Sequence, residues 1–340
     1  MLEKINFRII GLDKCHSDQI NMKILIISLS GIGNTILFTP TLKELRRHFP
    51  KSEIDLLVLK ERFSECVRGT DLVNEIKVIP ENKISLLKFI FSLRKNKYDI
   101  SITVFPSNKW QFNVLAYLIG AKKRITHSYY VGKFQTMSFL QNCKIKANSN
   151  IHDVYQNLNL LSSLGICVSQ RKPKLLFQLQ EENKNFAAKY LCMNRVYKND
   201  YIIGVHSGAG PIGKKKKWGL DNFANEINKI IKRRKHHFII LFGGIEETKE
   251  RNMLKNMINS HRVVIFNGSL RNTAALISEC DYFISNDTGL MHIASCFGVK
   301  QKAVFISTNW IRTSPFSENA KIVKLNKKIN FKYPFWSVRV

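Results

Sequence analysis

The stretch DYFISNDTGLMH (Asp281–His292) decides the fold class of this chain, because a buried-looking strand runs through Ser-Asn-Asp-Thr-Gly directly into an apolar helix. Small and hydroxyl side chains at a strand-to-helix junction let backbone N–H groups close on an anion, which the positive end of the helix dipole also attracts. A second apolar strand ending in a glycine-rich turn, KILIISLSGIGN (Lys23–Asn34), lies near the start. The two stretches predict two α/β halves, each with a ligand-facing loop, and place function in the cleft between them.

Apolar strands alternate with amphipathic helices along both halves. In the first half we predict a strand over Ile24–Ser28 and a helix over Pro40–Phe49, with Thr39 as its N-cap and Pro40 at its first helical position. In the second half, the predicted strand Ala303–Ile306 closes the sheet. The pattern predicts two Rossmann-like, doubly wound domains facing a central cleft, which is the GT-B architecture, although periodicity alone equally allows other two-domain α/β enzymes.

The domain boundaries follow from composition along the chain. We predict, in order, an N-terminal extension over 1–21, a first domain over 22–175, a connection over 176–200 that carries a helix near Glu181–Met193, a second domain over 201–325, and a basic, aromatic tail over 326–340. The extension is interpreted as disordered or as an artefact of start-site choice. For the tail, packing across the first domain and contact with an anionic membrane surface both stay open.

Composition indicates an enzyme-sized globular protein. The 340 residues are 44% hydrophobic and 23% charged, and no apolar run reaches the roughly 18 residues that span a bilayer. Without a signal-peptide pattern at its start, the chain is expected in the cytoplasm. Seven cysteines are scattered with no histidine at metal-ligand spacing, which predicts no metal site.

The net charge is unusual, since 54 Lys and Arg against 25 Asp and Glu give +29. Such an excess attracts nucleic acid, anionic lipid head groups or a phosphorylated substrate. No known nucleic-acid module is visible, so we expect no specific nucleic-acid binding. A dinucleotide site is also disfavoured, because Ile36 replaces the third glycine after Gly31 and Gly33, and the second strand ends at Lys60 rather than at an acid.

The second half opens with a strand that leads into HSGAGPIGKKKKW (His206–Trp218). Backbone amides of this glycine-rich loop, the Ser207 hydroxyl and one or two lysine ammonium groups together suit a diphosphate. The alternative is a solvated basic loop. We favour the phosphate role because the lysines follow a glycine loop.

Five stretches together resemble glycosyltransferase family 9, the ADP-heptose:lipopolysaccharide heptosyltransferases and their relatives. They are KILIISLSGIGNTILFTPTLKELRRHFP from Lys23, HDVYQNLNLLSSLG from His152, HSGAGPIGKKKKW from His206, LFGGIEE from Leu241 and SNDTGLMHIASCFG from Ser285. The resemblance spans Met22 to about Val323. Their combination and order are far more specific than any single stretch.

The resemblance implies an inverting GT-B transferase that uses a nucleotide-diphosphate sugar, ADP-linked, and needs no cofactor and no metal. The donor residues that it implies are Ser207, Lys216, Glu246, Asp287, Thr288, Gly289 and His292, with Gly31 and Gly33 in the acceptor-side loop. Glu246 is expected at the ribose. Helix capping by Asp287, core packing of His292 and a favourable helix-start position for Glu246 stay open as structural explanations.

One position departs from the family pattern. The family's general base is an Asp directly after the Gly-x-Gly turn, and here that position is Asn34, whose carboxamide cannot accept a proton at physiological pH. Asp153 and Asp99 are the candidate substitutes, although N-terminal helix capping explains Asp153 equally well and a different acceptor geometry also stays open. The alternative function is a catalytically inactive sugar-nucleotide-binding or scaffold protein of the same fold.

From these observations we predict a glycosyltransferase that moves a heptose-like sugar to lipopolysaccharide or another surface glycan. The expected acceptor is an anionic glycolipid or polysaccharide. The basic excess then holds the enzyme in the cytoplasm at the inner face of the cytoplasmic membrane, as a peripheral protein.

Overall fold

The structure is a computed structural model that describes residues 21–129, 133–168, 172–210 and 213–325. The predicted extension, apart from its last residue, and the predicted tail over 326–340 lie outside the described residues. Within the described ranges, no helix combines the length and the apolar character that crossing a bilayer requires.

Contacts divide the chain into two compact units. Unit 1 comprises the chain up to Ser64 together with Thr70–Asn148 and Asp153–Lys174, and unit 2 comprises Leu175 onward with Glu65–Gly69 and Ser149–His152. The helix that we predicted in the connection therefore belongs to unit 2.

Unit 1 contains a sheet whose order is β3-β2-β1-β4-β5-β6, with every neighbouring pair parallel. Its strands are β1 (Lys23–Ser28), β2 (Glu53–Val58), β3 (Glu75–Val78), β4 (Ile100–Thr103), β5 (Lys123–Ser128) and β6 (Cys143–Lys146). The first strand lies between the second and the fourth, which is the Rossmann order. The strands β3, β5 and β6 were not predicted, because their short, half-polar segments carry a weak apolar pattern.

Helices cover both faces of this sheet. They are α1 (Ile32–His48), α2 (Lys83–Lys95), α3 (Trp110–Ile119), α4 (Lys133–Thr136) and α5 (Asp153–Asn159). Helices α2 and α3 pack over one face of β1, in a core that contains Leu25, Leu93 and Leu115, whereas α1 packs against α5.

The prediction that a helix starts at Pro40 was wrong, because α1 begins at Ile32 and contains Pro40. A proline inside a helix cannot donate to the carbonyl four residues earlier. Here the Thr39 hydroxyl donates to the Ile36 oxygen at 2.7 Å and so supplies the bond that Pro40 cannot. The helix therefore continues through the proline, and Thr39 is not its N-cap.

Unit 2 repeats the topology of unit 1. Its sheet has the order β12-β11-β10-β7-β8-β9, again with parallel neighbours. The strands are β7 (Tyr201–His206), β8 (His237–Leu241), β9 (Val263–Ile265), β10 (Tyr282–Asn286), β11 (Lys300–Phe305) and β12 (Ala320–Lys324). The sheet thus extends beyond the segment that we expected to close it, because β12 pairs with β11 as an additional edge strand.

The helices of unit 2 are α6 (Glu181–Met193), α7 (Leu220–Ile231), α8 (Thr248–Met257), α9 (Leu270–Ser278), α10 (Gly289–Cys296) and α11 (Trp310–Thr313). Its core joins Val205 of β7, Phe223 of α7 and Leu254 of α8, all fully buried. The two Rossmann-like α/β units confirm the predicted fold class.

Candidate active site

The carboxyl ends of β7 and β10 bring two predicted site segments together. Ser285 pairs with His206 in the parallel register, so the loops that follow these strands leave the sheet side by side. The Asn286 side chain hydrogen-bonds to the loop that follows β7. Its amide nitrogen donates to the Ser207 and Gly208 oxygens at 2.7 and 3.1 Å, and its oxygen accepts from the Trp218 N–H at 3.0 Å. Sequence reasoning did not assign this role to Asn286.

Lys216 and Asp287 form an ion pair at this edge. The Lys216 ammonium donates to the Asp287 carboxylate at 2.8 Å, and the carboxylate is buried whereas the ammonium is half-buried. Asp287 does not cap α10, because Thr288 occupies the N-cap position. Asp287 instead holds a cation beside the first turn of α10, where free helix N–H groups face the same space.

His206 links the two loops through its two ring nitrogens. Nδ1 lies 3.0 Å from the Thr288 hydroxyl, and Nε2 lies 3.1 Å from the Glu247 carboxylate. The same carboxylate accepts from the N–H groups of Gly210 and Gly244, each at 3.1 Å. A chain of hydrogen bonds therefore runs from the start of α10 through His206 to the glycine-rich loop.

The buried acid of this edge is Glu247, the residue that follows the predicted Glu246. Glu246 is exposed, at the start of the segment that precedes α8. Burial alone would raise the pKa of Glu247, but hydrogen bonds from His206 and the two amides more than offset it and lower the pKa to about 2. A Cβ at Gly208 would lie 1.9 Å from this carboxylate, so any larger residue there would displace it. Sequence reasoning missed Glu247, because no local pattern distinguishes it from Glu246.

His292 is buried in the first turns of α10, with no hydrogen-bond partner at its Nδ1 among the described residues. Burial lowers its pKa to about 4, opposed by the Asp287 carboxylate and assisted by His152 and Lys216. The imidazole is therefore neutral at physiological pH. It can donate or accept one hydrogen bond to a ligand but adds no fixed charge.

A second buried histidine, His152, was not predicted as a site residue but lies close enough to affect His292. Its Nε2 donates to the Ser314 oxygen at 2.8 Å, and its ring lies 4.9 Å from that of Phe316. Burial lowers its pKa to about 4. His152 belongs to unit 2, whereas its neighbour Asp153 belongs to unit 1.

The second predicted loop lies at the carboxyl edge of the unit 1 sheet. Gly31 precedes α1, and Gly33 and Asn34 are in its first turn, which contains no acidic residue. The hydroxyl group of Ser28, the last residue of β1, lies 2.8 Å from the hydroxyl group of Thr35 in α1. This edge therefore offers hydroxyl, amide and backbone groups rather than a carboxylate.

Asp153 and Asp99 lie at opposite ends of the parallel strands of unit 1, Asp153 at the carboxyl ends and Asp99 at the amino ends. Asp153 is buried at the first residue of α5, and Asn157 of that helix accepts from the Phe105 N–H, just beyond the carboxyl end of β4. Asp99 precedes β4 and accepts from the Lys23 N–H at the start of β1. The length of β1, about 17 Å for five residue steps, thus separates Asp99 from the edge with Asn34.

Asp99 is also engaged by a cation. Its carboxylate accepts from the Lys122 ammonium at 2.8 Å, and this hydrogen bond, assisted by the Lys23 amide, lowers the pKa of Asp99. A carboxylate with a lowered pKa is a weaker base. The structure does not bring Asp99 to Asn34.

The unit 2 edge has the chemistry of an anion site. A lysine ammonium, the N–H groups of the first turn of α10, the Thr288 hydroxyl and a neutral imidazole lie within one strand-to-helix corner. Such groups bind phosphate oxygens and stabilise negative charge as it develops. In the described ranges, no three His, Cys, Asp or Glu side chains are grouped as metal ligands would be.

Sequence comparisons match this chain to one protein family. The sequence model of glycosyltransferase family 9 (heptosyltransferase) matches residues 86–334, which include the unit 2 edge but not Asn34. A lipooligosaccharide heptosyltransferase 2 of Campylobacter jejuni is 27% identical over 312 residues, covering 90% of this chain and 88% of that protein.

Two solved structures share the fold. A family 9 glycosyl transferase of Veillonella parvula superimposes with a TM-score of 0.76 at 20% identity, covering 91% of this chain and 86% of the other. An ADP-heptose lipopolysaccharide heptosyltransferase II of Escherichia coli gives a TM-score of 0.73 at 20% identity, covering 90% and 92%. From the matched family range, which spans most of the chain, together with these relatives, we conclude that the protein is a glycosyltransferase and belongs to glycosyltransferase family 9.

Proposed function

We propose that this protein transfers a heptose-like sugar from an ADP-linked donor to a lipopolysaccharide or related surface-glycan acceptor. The relatives support this reaction, since one is a lipooligosaccharide heptosyltransferase 2 and another is an ADP-heptose lipopolysaccharide heptosyltransferase II. The observation that carries the proposal is the corner at the carboxyl end of β10, where Lys216 is held beside the N-terminus of α10.

Donor binding is assigned to unit 2. The diphosphate would lie against the first turn of α10, with the Lys216 ammonium, the Thr288 hydroxyl and the N–H of Gly289 toward its oxygens. When the anomeric C–O bond breaks, the diphosphate leaves with the bonding electron pair, and these groups stabilise its added charge. We propose that they replace a divalent metal ion, so that neither a metal nor a cofactor is needed.

The remaining donor residues have narrower roles. Ser207 lies in the loop that Asn286 fastens, and His292 presents a neutral imidazole to the sugar phosphate. Glu246, being exposed, is available to the ribose hydroxyls. His206 and Glu247 lie behind these groups and hold the two loops together rather than contact the donor.

The acceptor reaction is assigned to unit 1. In an inverting transfer, the acceptor hydroxyl attacks the anomeric carbon on the face opposite the diphosphate, and a base takes its proton. Asn34 cannot serve, and Asp99 lies at the other edge of the sheet. We therefore assign the base to Asp153, which lies at the carboxyl side of unit 1 with Gly31 and Gly33 in the neighbouring loop.

Peripheral attachment to the inner face of the cytoplasmic membrane completes the proposal. A lipid-linked acceptor is confined to a membrane, and a protein of net charge +29 is attracted to an anionic membrane surface. This attraction weakens with salt, since exposed charges are screened over about 8–10 Å at physiological ionic strength.

A donor panel tests the proposed reaction. Isothermal titration with ADP-, GDP-, UDP- and CMP-linked sugars identifies the nucleotide, and a transfer assay with heptose-deficient lipopolysaccharide measures consumption. We expect tightest binding and turnover with ADP-heptose. Binding without turnover, together with turnover that appears only in Asn34→Asp, would instead identify an inactive sugar-nucleotide-binding protein.

A further inference from the structure

Helix α2 exposes an apolar stripe to solvent. Ile84, Leu87 and Phe91 are 68%, 59% and 65% exposed, although such side chains normally lie in a core. They follow an i, i+3, i+7 spacing and therefore lie on one side of the helix. We call Ile84, Leu87 and Phe91 the α2 stripe.

The opposite side of α2 accounts for its packing. Leu93 is fully buried, and Phe89 and Ile90 are half-buried against the core of unit 1. At 100° per residue these positions are centred roughly 150° from the α2 stripe. The helix thus has two apolar faces, and only the inner one is covered within the described part of the chain.

Cations border the α2 stripe. The helix carries Lys83, Lys88, Arg94 and Lys95 and contains no acidic residue. On the helical projection, Lys88 and Lys95 lie on one side of the stripe, and Lys83 and Arg94 on the other. An apolar stripe between basic side chains is typical of helices that lie in the interface of an anionic membrane.

The neighbouring helix extends this surface. The Arg94 guanidinium donates to the Leu118 oxygen at 2.9 Å, which ties the C-terminal end of α2 to that of α3. Leu118 and Tyr117 are 41% and 48% exposed, and the Arg124 guanidinium lies 5.5 Å from the Tyr117 ring. Tyrosine suits the boundary between head groups and acyl chains, because its ring is apolar and its hydroxyl is polar.

We propose that the α2 stripe inserts into an anionic lipid surface and docks unit 1 on the membrane that carries the acceptor. This inference rests on the proposed function for its acceptor but not for its surface. Pairing with a second copy is disfavoured, because two like faces would bring their cations together in a protein of net charge +29. A lipid surface offers acyl chains for the stripe and phosphates for the cations that border it.

Vesicle binding tests the proposal with the full chain. Vesicles of phosphatidylcholine with and without phosphatidylglycerol are sedimented with wild type, with Leu87→Ser/Phe91→Ser and with a control, Met193→Ser/Met253→Ser. The control residues are 73% and 50% exposed on helices of unit 2. We expect the α2 variant to lose affinity for anionic vesicles by about tenfold or more, and the control to match wild type. Thermal unfolding and circular dichroism check that all three proteins fold alike.

A charge pair and a soluble acceptor complete the design. Lys88→Gln/Lys95→Gln should weaken anionic-vesicle binding more than Lys229→Gln/Lys255→Gln in unit 2. Transfer to membrane-embedded acceptor should fall in Leu87→Ser/Phe91→Ser, whereas transfer to a delipidated acceptor should not change. Vesicle binding without any transfer would contradict the proposed function alone. Undiminished vesicle binding by the α2 variant, or a loss of self-association in place of a loss of vesicle binding, would overturn the proposed docking surface.

Discussion

Units 1 and 2 repeat one topology, yet their carboxyl edges carry different chemistry. In unit 2, an ion pair between Lys216 and Asp287 and a hydrogen bond between His206 and Glu247 hold the loops. In unit 1, the corresponding edge has Asn34 and a hydrogen bond between Ser28 and Thr35. The sheet order places both loops, whereas a few side chains decide what each loop binds.

The difference suits two kinds of ligand. A diphosphate needs cations held in place before it arrives, and the buried carboxylates of unit 2 supply that restraint. A sugar hydroxyl needs a single base and neutral hydrogen-bond partners. The proposed function therefore places charge stabilisation in unit 2 and proton removal in unit 1, and substitution tests each of these proposals.

The largest expected effect tests the assignment of the general base to unit 1. Asp153→Asn should lower the transfer rate by about 10²–10⁴, the usual contribution of a general base. Asp99→Asn serves as the control, since that residue lies at the opposite edge of the sheet and pairs with Lys122. Initial rates with saturating donor measure both, and Asn34→Ala should change the rate less than Asp153→Asn. An unchanged rate in Asp153→Asn would remove this residue as the base.

Removal of the Lys216 ammonium tests the assignment of donor binding to unit 2. Lys216→Ala should weaken binding of an ADP-linked donor by about 1.5–3 kcal/mol, which is the range for a hydrogen bond to a charged group. Lys217→Ala is the matched control, because Lys217 pairs with Glu250 at 2.5 Å rather than with Asp287. Isothermal titration gives both affinities, and equal values for the two variants would contradict a specific role of Lys216.

Chelation of divalent metal ions tests whether donor binding in unit 2 depends on protein groups alone. If cations and amides of the protein stabilise the diphosphate, donor affinity should be equal with and without EDTA. The titration is repeated on wild type after dialysis against the chelator, with added Mg²⁺ as the control. Affinity that falls on chelation and returns with Mg²⁺ would show that unit 2 needs a metal ion.

Buried histidines predict a pH dependence that belongs to unit 2. The pKa of His292 is about 4, below its usual value of about 6.5, so its stabilising contribution is complete above about pH 6.5 and is lost as the pH falls toward 4. The midpoint of thermal unfolding should therefore fall over this range, and less steeply in His292→Asn. Equal slopes in the two proteins would show that His292 does not titrate in this way.

The smallest effect concerns α1, the helix that carries the unit 1 loop. Thr39→Val should lower the free energy of unfolding by about 1 kcal/mol, because the Ile36 oxygen loses its donor. In Pro40→Ala the loss should shrink, since the alanine introduced there donates its own N–H. Urea unfolding of the single and double variants measures the coupling, and strictly additive effects would contradict this account of the helix.

Local motifs could be predicted from the sequence, and pairings across the fold could not. The corner at Asp287 is contiguous, so a strand, small residues and an apolar helix indicate it directly. The contact between His206 and Glu247 joins residues that are far apart in sequence, and no local pattern distinguishes Glu247 from Glu246.

The helix start predicted at Pro40 was wrong for an identifiable reason. A proline after a threonine is typical of a helix start. Nothing in the local pattern shows that the Thr39 hydroxyl can replace the N–H that Pro40 lacks as a donor to the Ile36 oxygen. The position of Asp99 away from Asn34 could have been foreseen from the sequence, since Asp99 precedes a strand and ligands collect at the carboxyl ends of parallel strands. The exposure of Phe91 could not be foreseen, because apolar residues occur on both sides of α2.

The central claim is that unit 2 binds the donor and unit 1 removes the proton. The most direct measurement is the dissociation constant of the ADP-linked donor in Asp153→Asn and in Lys216→Ala, determined side by side by isothermal titration. The account predicts wild-type affinity in Asp153→Asn and an affinity about 10 to 150 times weaker in Lys216→Ala. Donor binding that weakens in Asp153→Asn and stays intact in Lys216→Ala would contradict it.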